Sequence, residues 1–195
     1  MSELIFQRRG SASGKDTSIV LFLHGYGADG ADLLGLADPL APHLPDTIFM
    51  AVDAPDRSMA NPMGFQWFPI PWIDGSSESE AVDGLQRSAN LLDNFVDKIL
   101  ADEGLASENL ILFGFSQGTM MSLHVAPRRT EPVGGIVGFS GRLMLPETLA
   151  DEAVSKPPVL LVHGNADDVV PFQEMQIAAE ALNNSGFDVY GHVMD

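Results

Sequence analysis

The stretch "LILFGFSQGT", residues 110–119, decides the fold. A short apolar run ends at a Gly-x-Ser-x-Gly motif, and a helical pattern of apolar residues follows directly. A nucleophile elbow requires this order of strand, sharp turn and helix, because the turn lifts the serine hydroxyl above the end of the sheet. Ser116 is therefore a candidate nucleophile. Since short motifs also occur by chance in a chain with 19 glycines, the alternative of a purely structural turn stays open.

Short apolar segments alternate with helical patterns along the rest of the chain. The segments typical of strands are 17–25, 46–55, 109–116, 133–141, 157–164 and 187–194, with a further candidate edge strand at 3–9. Several are apolar without alternation, as in strands buried on both faces of a parallel sheet. Helical spacing covers 29–44, 79–104, 118–129 and 171–186. The pattern predicts an α/β fold, with a doubly wound, mostly parallel sheet flanked by helices, in one domain over residues 1–195.

Composition excludes several classes of function. The 195 residues are 45% hydrophobic, which is typical of a globular domain. A net charge of −17 repels phosphate backbones and anionic lipids, so we expect no nucleic-acid partner and no stable membrane insertion. No cysteine and no signal-peptide pattern are present, and a cytoplasmic location is the default expectation. A homodimer is compatible with these features.

Two further motifs lie at the ends of predicted strands. In "LHGYGADG", residues 23–30, a glycine-rich loop can expose backbone N–H groups to the elbow. His24 is interpreted as structural, because a triad histidine should follow the serine and the acid. In "LLVHGNADDVVP", residues 160–171, one of Asp167 and Asp168 fits the carboxylate that orients a triad histidine. The residues alone do not decide between the two. Ser140 is a weaker rival nucleophile, because no glycine follows two residues later.

The segment 54–77 breaks the alternation of strands and helices. It is long for a loop, yet it contains four prolines and both tryptophans of the chain. One interpretation is a loop packed over one end of the core. The other is the wall of an apolar substrate pocket, because pockets are lined in this way.

Together these motifs resemble the carboxylesterase and acyl-protein thioesterase branch of the α/β-hydrolases, also called the phospholipase/carboxylesterase family. The segments "LHGYGADG", "GFSQGTMMSLHVA", "GFSGRL" and "HGNADDVVP" carry the resemblance, in family order across nearly the whole chain. It implies a serine hydrolase of short or medium acyl esters, with thioesters and lysophospholipids as alternative substrates. A catalytically inactive binding or scaffold protein of the same fold is the alternative from another class.

The resemblance also implies roles for single residues. It places the nucleophile at Ser116 and the acid at Asp167, with Leu23 and Gln117 providing backbone N–H groups to the oxyanion. This is a cofactor-free mechanism for a small-molecule ester, and we expect no metal site, because the five histidines are scattered.

The loop 54–77 contains the next residues to which the resemblance gives a role. Trp67 and Phe68 are expected to line the substrate-binding site. The apolar bulk of the loop would then face the acyl group.

The triad histidine is missing from these motifs. His192 is the only histidine after Asp167, and it lies in a segment that is typical of the last strand. The resemblance implies a histidine on a loop after this strand and then a closing helix. We therefore expect the 195 residues to be a C-terminally incomplete domain, with the base beyond residue 195 and His192 as the less favoured candidate.

Overall fold

The computed structural model describes residues 4–195 and contains the predicted parallel sheet. The strands of the main sheet are β1 (Phe6–Arg9), β2 (Ser18–Leu23), β3 (Thr47–Val52), β6 (Leu110–Phe115), β7 (Gly135–Phe139), β8 (Val159–Gly164) and β9 (Val189–Met194). A small hairpin, β4 (Asp56–Arg57) with β5 (Phe65–Gln66), lies apart from them. All seven predicted strands form, although the first residue of the predicted edge strand 3–9 lies outside the described residues.

The main sheet has the order β1-β3-β2-β6-β7-β8-β9. Only β1 is antiparallel to its neighbour, and the other pairs are parallel. The carboxyl ends of β2, β6 and β8 therefore meet at one edge, where open α/β sheets place their functional groups. The three motifs of the sequence follow these three strands.

The helices are α1 (Gly30–Leu34), α2 (Ala37–Leu40), α3 (Pro71–Asp74), α4 (Glu78–Glu103), α5 (Gln117–Val125), α6 (Leu149–Glu152) and α7 (Gln173–Asn184). The longest, α4, starts with a capping box between Ser77 and Glu80 and ends at Gly104 in a left-handed conformation. The pattern at 29–44 forms two short helices rather than one. None of the helices in residues 4–195 is long and apolar enough for a membrane span.

The main core lies on one face of the sheet. Alternate residues of the central strands, such as Leu21 and Leu112, pack with the apolar sides of α4, α5 and α7. The opposite face carries a smaller cluster around Phe22 and Phe49, joined by Ala37 at the start of α2. Helices on both faces confirm the doubly wound arrangement.

The second face is less well covered at β6 to β9. Two register-matched rows cross these four strands: Phe113–Val137–Leu160–Tyr190 and Phe115–Phe139–Val162–His192. Phe115 is 46% exposed and Tyr190 is 59% exposed. We call these two rows the open face.

Candidate active site

Ser116 lies between β6 and α5 in a strained backbone conformation. Its φ of 52° and ψ of −113° belong to a region that residues with a side chain rarely adopt. The serine is held there because its N–H donates to the Phe139 carbonyl oxygen at 2.8 Å and its own carbonyl caps the first turn of α5. Strain of this kind persists only where surrounding contacts impose it, and it concentrates at functional sites.

The two glycines of the motif allow the strand and the helix to approach closely. A Cβ on Gly118 would lie 1.9 Å from the Leu23 carbonyl oxygen, and one on Gly114 would lie 2.4 Å from the Thr119 nitrogen. Both distances are shorter than any real contact, so neither position accepts a side chain without movement of the backbone. The local sequence therefore folds as a nucleophile elbow, as predicted.

A pocket of about 370 Å³ opens beside Ser116. Its polar lining comes from Ser116, Ser140, Asp167 and the loop at Gly25 and Tyr26. The apolar lining comes from Ala28, Ile70, Trp72, Ile73, Phe115, Met120, Val169 and Val170. An apolar cavity with a few convergent polar groups is the usual form of a small-molecule site.

Asp167 faces this pocket and is held as a carboxylate. Its Oδ1 accepts the N–H groups of Val169 and Val170, each at 2.9 Å. Burial by itself would raise the pKa of Asp167, but these two bonds, the Ser140 hydroxyl and nearby His163 together lower the pKa below its ordinary value. Asp168 is exposed. The structure therefore brings Asp167, and not its neighbour, to the cavity of Ser116.

Gln117 is the first residue of α5, so its N–H has no acceptor within the helix. Its buried side chain has a role that the sequence did not reveal. The amide oxygen accepts the Trp67 N–H at 2.8 Å, and the amide nitrogen donates to the Phe68 carbonyl oxygen at 2.7 Å. Gln117 thus ties the elbow to the long loop.

The structure corrects the expectation that Leu23 donates to an oxyanion. Leu23 is fully buried in β2, in register with Val52 on one side and Gly114 on the other. Its backbone forms the surface on which Gly118 packs, below the elbow. The residues of this loop that reach the pocket are Gly25, Tyr26 and Ala28, and Tyr26 lies three positions after Leu23. Within residues 4–195 the Tyr26 N–H donates to no protein acceptor.

The structure also corrects the roles expected for Trp67 and Phe68. Both side chains belong to the main core, at 0% and 2% exposure, and neither lies among the residues that line the pocket. The Trp67 indole donates to the His24 carbonyl oxygen at 3.1 Å. Apolar side chains of the same loop do reach the pocket, but they are Trp72 and Ile73 of α3.

Two histidines hold the loops that carry the polar groups of the site. His24 accepts the Ala54 N–H at Nε2 and donates from Nδ1 to Gly25, and its burial lowers its pKa, which favours this neutral form. Nε2 of His163 lies 2.8 Å from the Val170 carbonyl oxygen. Both roles are structural, as predicted for these residues.

The geometry leaves the histidine of the triad unassigned. His192 lies in β9, in register with Val162, and is exposed. None of the five histidines of the chain lines the pocket within residues 4–195. The same residues hold no cluster of three or more metal-ligating side chains of the His, Cys, Asp and Glu types.

A serine on a strained strand-to-helix turn, at the carboxyl edge of a mostly parallel sheet with a carboxylate in its pocket, defines an α/β-hydrolase. Comparison with known proteins gives the family. The family model described as Phospholipase/Carboxylesterase matches residues 10–195. The chain belongs to this family, and it is a hydrolase.

Relatives and solved structures agree with this assignment. Acyl-protein thioesterase 1 of Gibberella zeae is 30% identical over 202 residues, covering 91% of this chain and 81% of the relative. Esterase YpfH of Escherichia coli is 28% identical, covering 91% and 76%. The crystal structure of esterase PE8 superposes with a TM-score of 0.94 at 39% identity, over 99% of this chain and 89% of that one.

Proposed function

We propose that the chain hydrolyses carboxylic esters through Ser116. The strained elbow beside the pocket is the observation that carries the proposal. The Ser116 hydroxyl would attack the ester carbonyl, and the ester C–O bond would break to leave an acyl-enzyme and the free alcohol, which takes up the serine proton. Water would then hydrolyse the acyl-enzyme to the carboxylic acid and restore Ser116. Esters of short or medium acyl groups are the proposed substrates, as the resemblance implies, with thioesters and lysophospholipids as alternatives. Neither the site nor the relatives support the inactive scaffold.

In this proposal the oxyanion is held by the N–H groups of Tyr26 and Gln117. Gln117 is supported by its place at the N-terminus of α5, where free N–H groups and the helix dipole favour negative charge. Tyr26 replaces Leu23, because it lines the pocket and its N–H is free of protein acceptors within residues 4–195. Removal of one such donor reduces the rate by about 100- to 1,000-fold in other hydrolases.

Asp167 is proposed to orient a histidine that acts as the base. The Asn165 N–H donates to the Met194 carbonyl oxygen at 2.9 Å. The carboxyl end of β9 therefore lies next to the turn of Asp167. His192 stays the less favoured candidate, because it lies within the strand.

The experiment is ester turnover and covalent labelling with Ser116→Ala as the central variant. The wild-type chain should release nitrophenol from 4-nitrophenyl acetate and butyrate and react with a fluorophosphonate probe at one serine. Ser116→Ala should lose both reactions and keep its circular dichroism spectrum. Labelling that persists in Ser116→Ala and disappears in Ser140→Ala would move the nucleophile to the rival serine.

Kinetic assays can test whether the 195-residue chain lacks the histidine base. If it does, turnover would be slow and would rise on addition of free imidazole, whereas His192→Ala would change nothing. Full turnover that His192→Ala abolishes would instead make His192 the base. The cytoplasmic location, the lack of a nucleic-acid partner and the homodimer remain predictions from composition.

A further inference from the structure

A second cavity of about 270 Å³ adjoins the pocket of Ser116. The two share Trp72, Val169 and Val170 as lining residues, so they lie next to each other on the same side of the sheet edge. Arg142 lines the second cavity and is the one Lys or Arg that lines either of them within residues 4–195. The mechanism proposed above gives Arg142 no role.

Arg142 contacts two neighbouring side chains, but neither forms a close ion pair with its guanidinium. Its guanidinium carbon lies 5.6 Å from the centre of the Trp72 ring. Its Nε lies 3.5 Å from Oε2 of Glu174, and this buried nitrogen has no hydrogen-bond partner within the described chain. At this distance the guanidinium is attracted to the face of the Trp72 ring by a cation–π interaction, which uses none of its N–H donors.

Arg142 is a cation beside the pocket of a chain in which acidic residues predominate. Ten Lys and Arg face 27 Asp and Glu, and such a surface repels anionic ligands. Every other ion pair formed by a Lys or Arg in residues 4–195 measures 3.1 Å or less. Arg142 has the loosest pair, and it is placed where a substrate would extend from Ser116.

We infer that Arg142 forms a carboxylate-binding subsite and that this hydrolase prefers esters with a carboxylate remote from the scissile bond. The inference rests on the proposed function of Ser116. A planar guanidinium binds a carboxylate through two parallel N–H···O bonds, which supplies orientation as well as affinity. Trp72 would cover the apolar chain that joins the ester to the carboxylate.

The test compares two matched pairs of esters. The first pair is 4-nitrophenyl hydrogen adipate and its terminal amide, which place the charge on the acyl side. The second pair is 4-carboxyphenyl and 4-carbamoylphenyl butyrate, which place it on the alcohol side. We expect kcat/KM to favour the carboxylate in one pair, and Arg142→Gln to reduce that preference by about tenfold, as for a partly exposed charge-assisted hydrogen bond.

Arg142→Lys should keep part of the preference, and Glu174→Gln should increase it, because the competing carboxylate is gone. Arg128→Gln is the matched control, since Arg128 pairs with Glu152 and does not line either cavity. The Arg128→Gln protein should show the same preference for the carboxylate ester over the amide as the wild type. If Arg142 only ties its loop to α7, Arg142→Gln and Glu174→Gln would both lower stability and leave the preference unchanged, which would overturn the inference.

Binding to Ser116→Ala separates this inference from the proposed function. The intact esters can be titrated there by the fluorescence of the two tryptophans, without turnover. A lower Kd for the carboxylate than for the amide, lost on adding Arg142→Gln, supports the subsite even if Ser116 is not the nucleophile. Equal Kd values in both pairs refute the subsite, even if Ser116 hydrolyses both esters.

Discussion

Gly118→Ala would place a methyl group where it clashes with the backbone of β2. The added Cβ would lie 1.9 Å from the Leu23 carbonyl oxygen and 2.4 Å from its carbonyl carbon. Neither atom belongs to a flexible side chain, so α5 must move away from β2. This overpacking costs about 3 kcal/mol, at the upper end of core substitutions, because the obstacle is backbone.

Helix propensity opposes this cost but does not cancel it. Gly118 is the second residue of α5, and alanine is favoured over glycine within a helix by about 1 kcal/mol. The net loss of stability is then about 2 kcal/mol. For a domain of this length we expect a fall in Tm of about 4–8 °C. Labelling of Ser116 by the fluorophosphonate probe should also slow, because the displaced helix carries the Gln117 N–H away from the pocket.

Gly35→Ala is the matched control for this change. Gly35 has a φ of −58°, and nothing lies within 4 Å of its added Cβ. Alanine should therefore be neutral there or stabilise the fold by about 0.4–1 kcal/mol. Thermal unfolding followed by circular dichroism measures both variants. A Gly118→Ala protein that unfolds at or above the wild-type temperature would refute the close crossing of α5 and β2.

Three further predictions follow from single features of the structure. Where the assayed chain contains the histidine base, Asp167→Asn should lower ester turnover by about a hundredfold or more, because the carboxylate that orients the base is lost. Asp168→Asn should leave turnover unchanged, and the opposite ranking in kcat/KM would exchange their roles. Burial and a neighbouring arginine lower the pKa of His124 from 6.5 to about 4. As the pH falls, the unfolded chain therefore takes up the proton before the folded chain does. The free energy of unfolding should decrease between pH 6.5 and pH 4, by at most about 3 kcal/mol. Urea titrations at several pH values should show a smaller decrease in His124→Gln than in the wild type. On the open face, the double variant Phe115→Ser/Tyr190→Ser should bind less of the dye ANS and should show less self-association in light scattering. Unchanged ANS binding would mean that the dye binds to another surface.

The strands were predictable from sequence because their apolar runs are continuous and end at glycine-rich turns. Each predicted strand of the main sheet is present, with ends at most three residues inside the expected bounds. The order of the strands in the sheet was not predictable in this way, since an apolar run indicates that a strand is buried but not which strands lie beside it. The pattern at 29–44 gives two short helices instead of one, although Gly35 and Leu36 between them keep helical backbone angles.

Ser116 was predictable because its motif constrains the backbone locally. The oxyanion donor that we propose, Tyr26, was not predictable, since a difference of three residues from Leu23 decides whether an N–H lies within a strand or at a pocket. Arg142 carries no motif of its own. Its place beside the pocket depends on Trp72 and α7, which are remote in sequence.

The long loop 54–77 shows why its two interpretations could not be separated from composition. Trp67 is fully buried in the core, as in the first interpretation, whereas Trp72 is 59% exposed and lines the pocket that we propose for the substrate. Gln117 connects the two functions, because its side chain bonds the loop backbone at residue 67 while its N–H lies at the elbow. The apolar loop is therefore a support for the elbow at one end and a wall for the substrate at the other. A change at Trp67 should act on stability and catalysis together, whereas a change at Trp72 should act on KM.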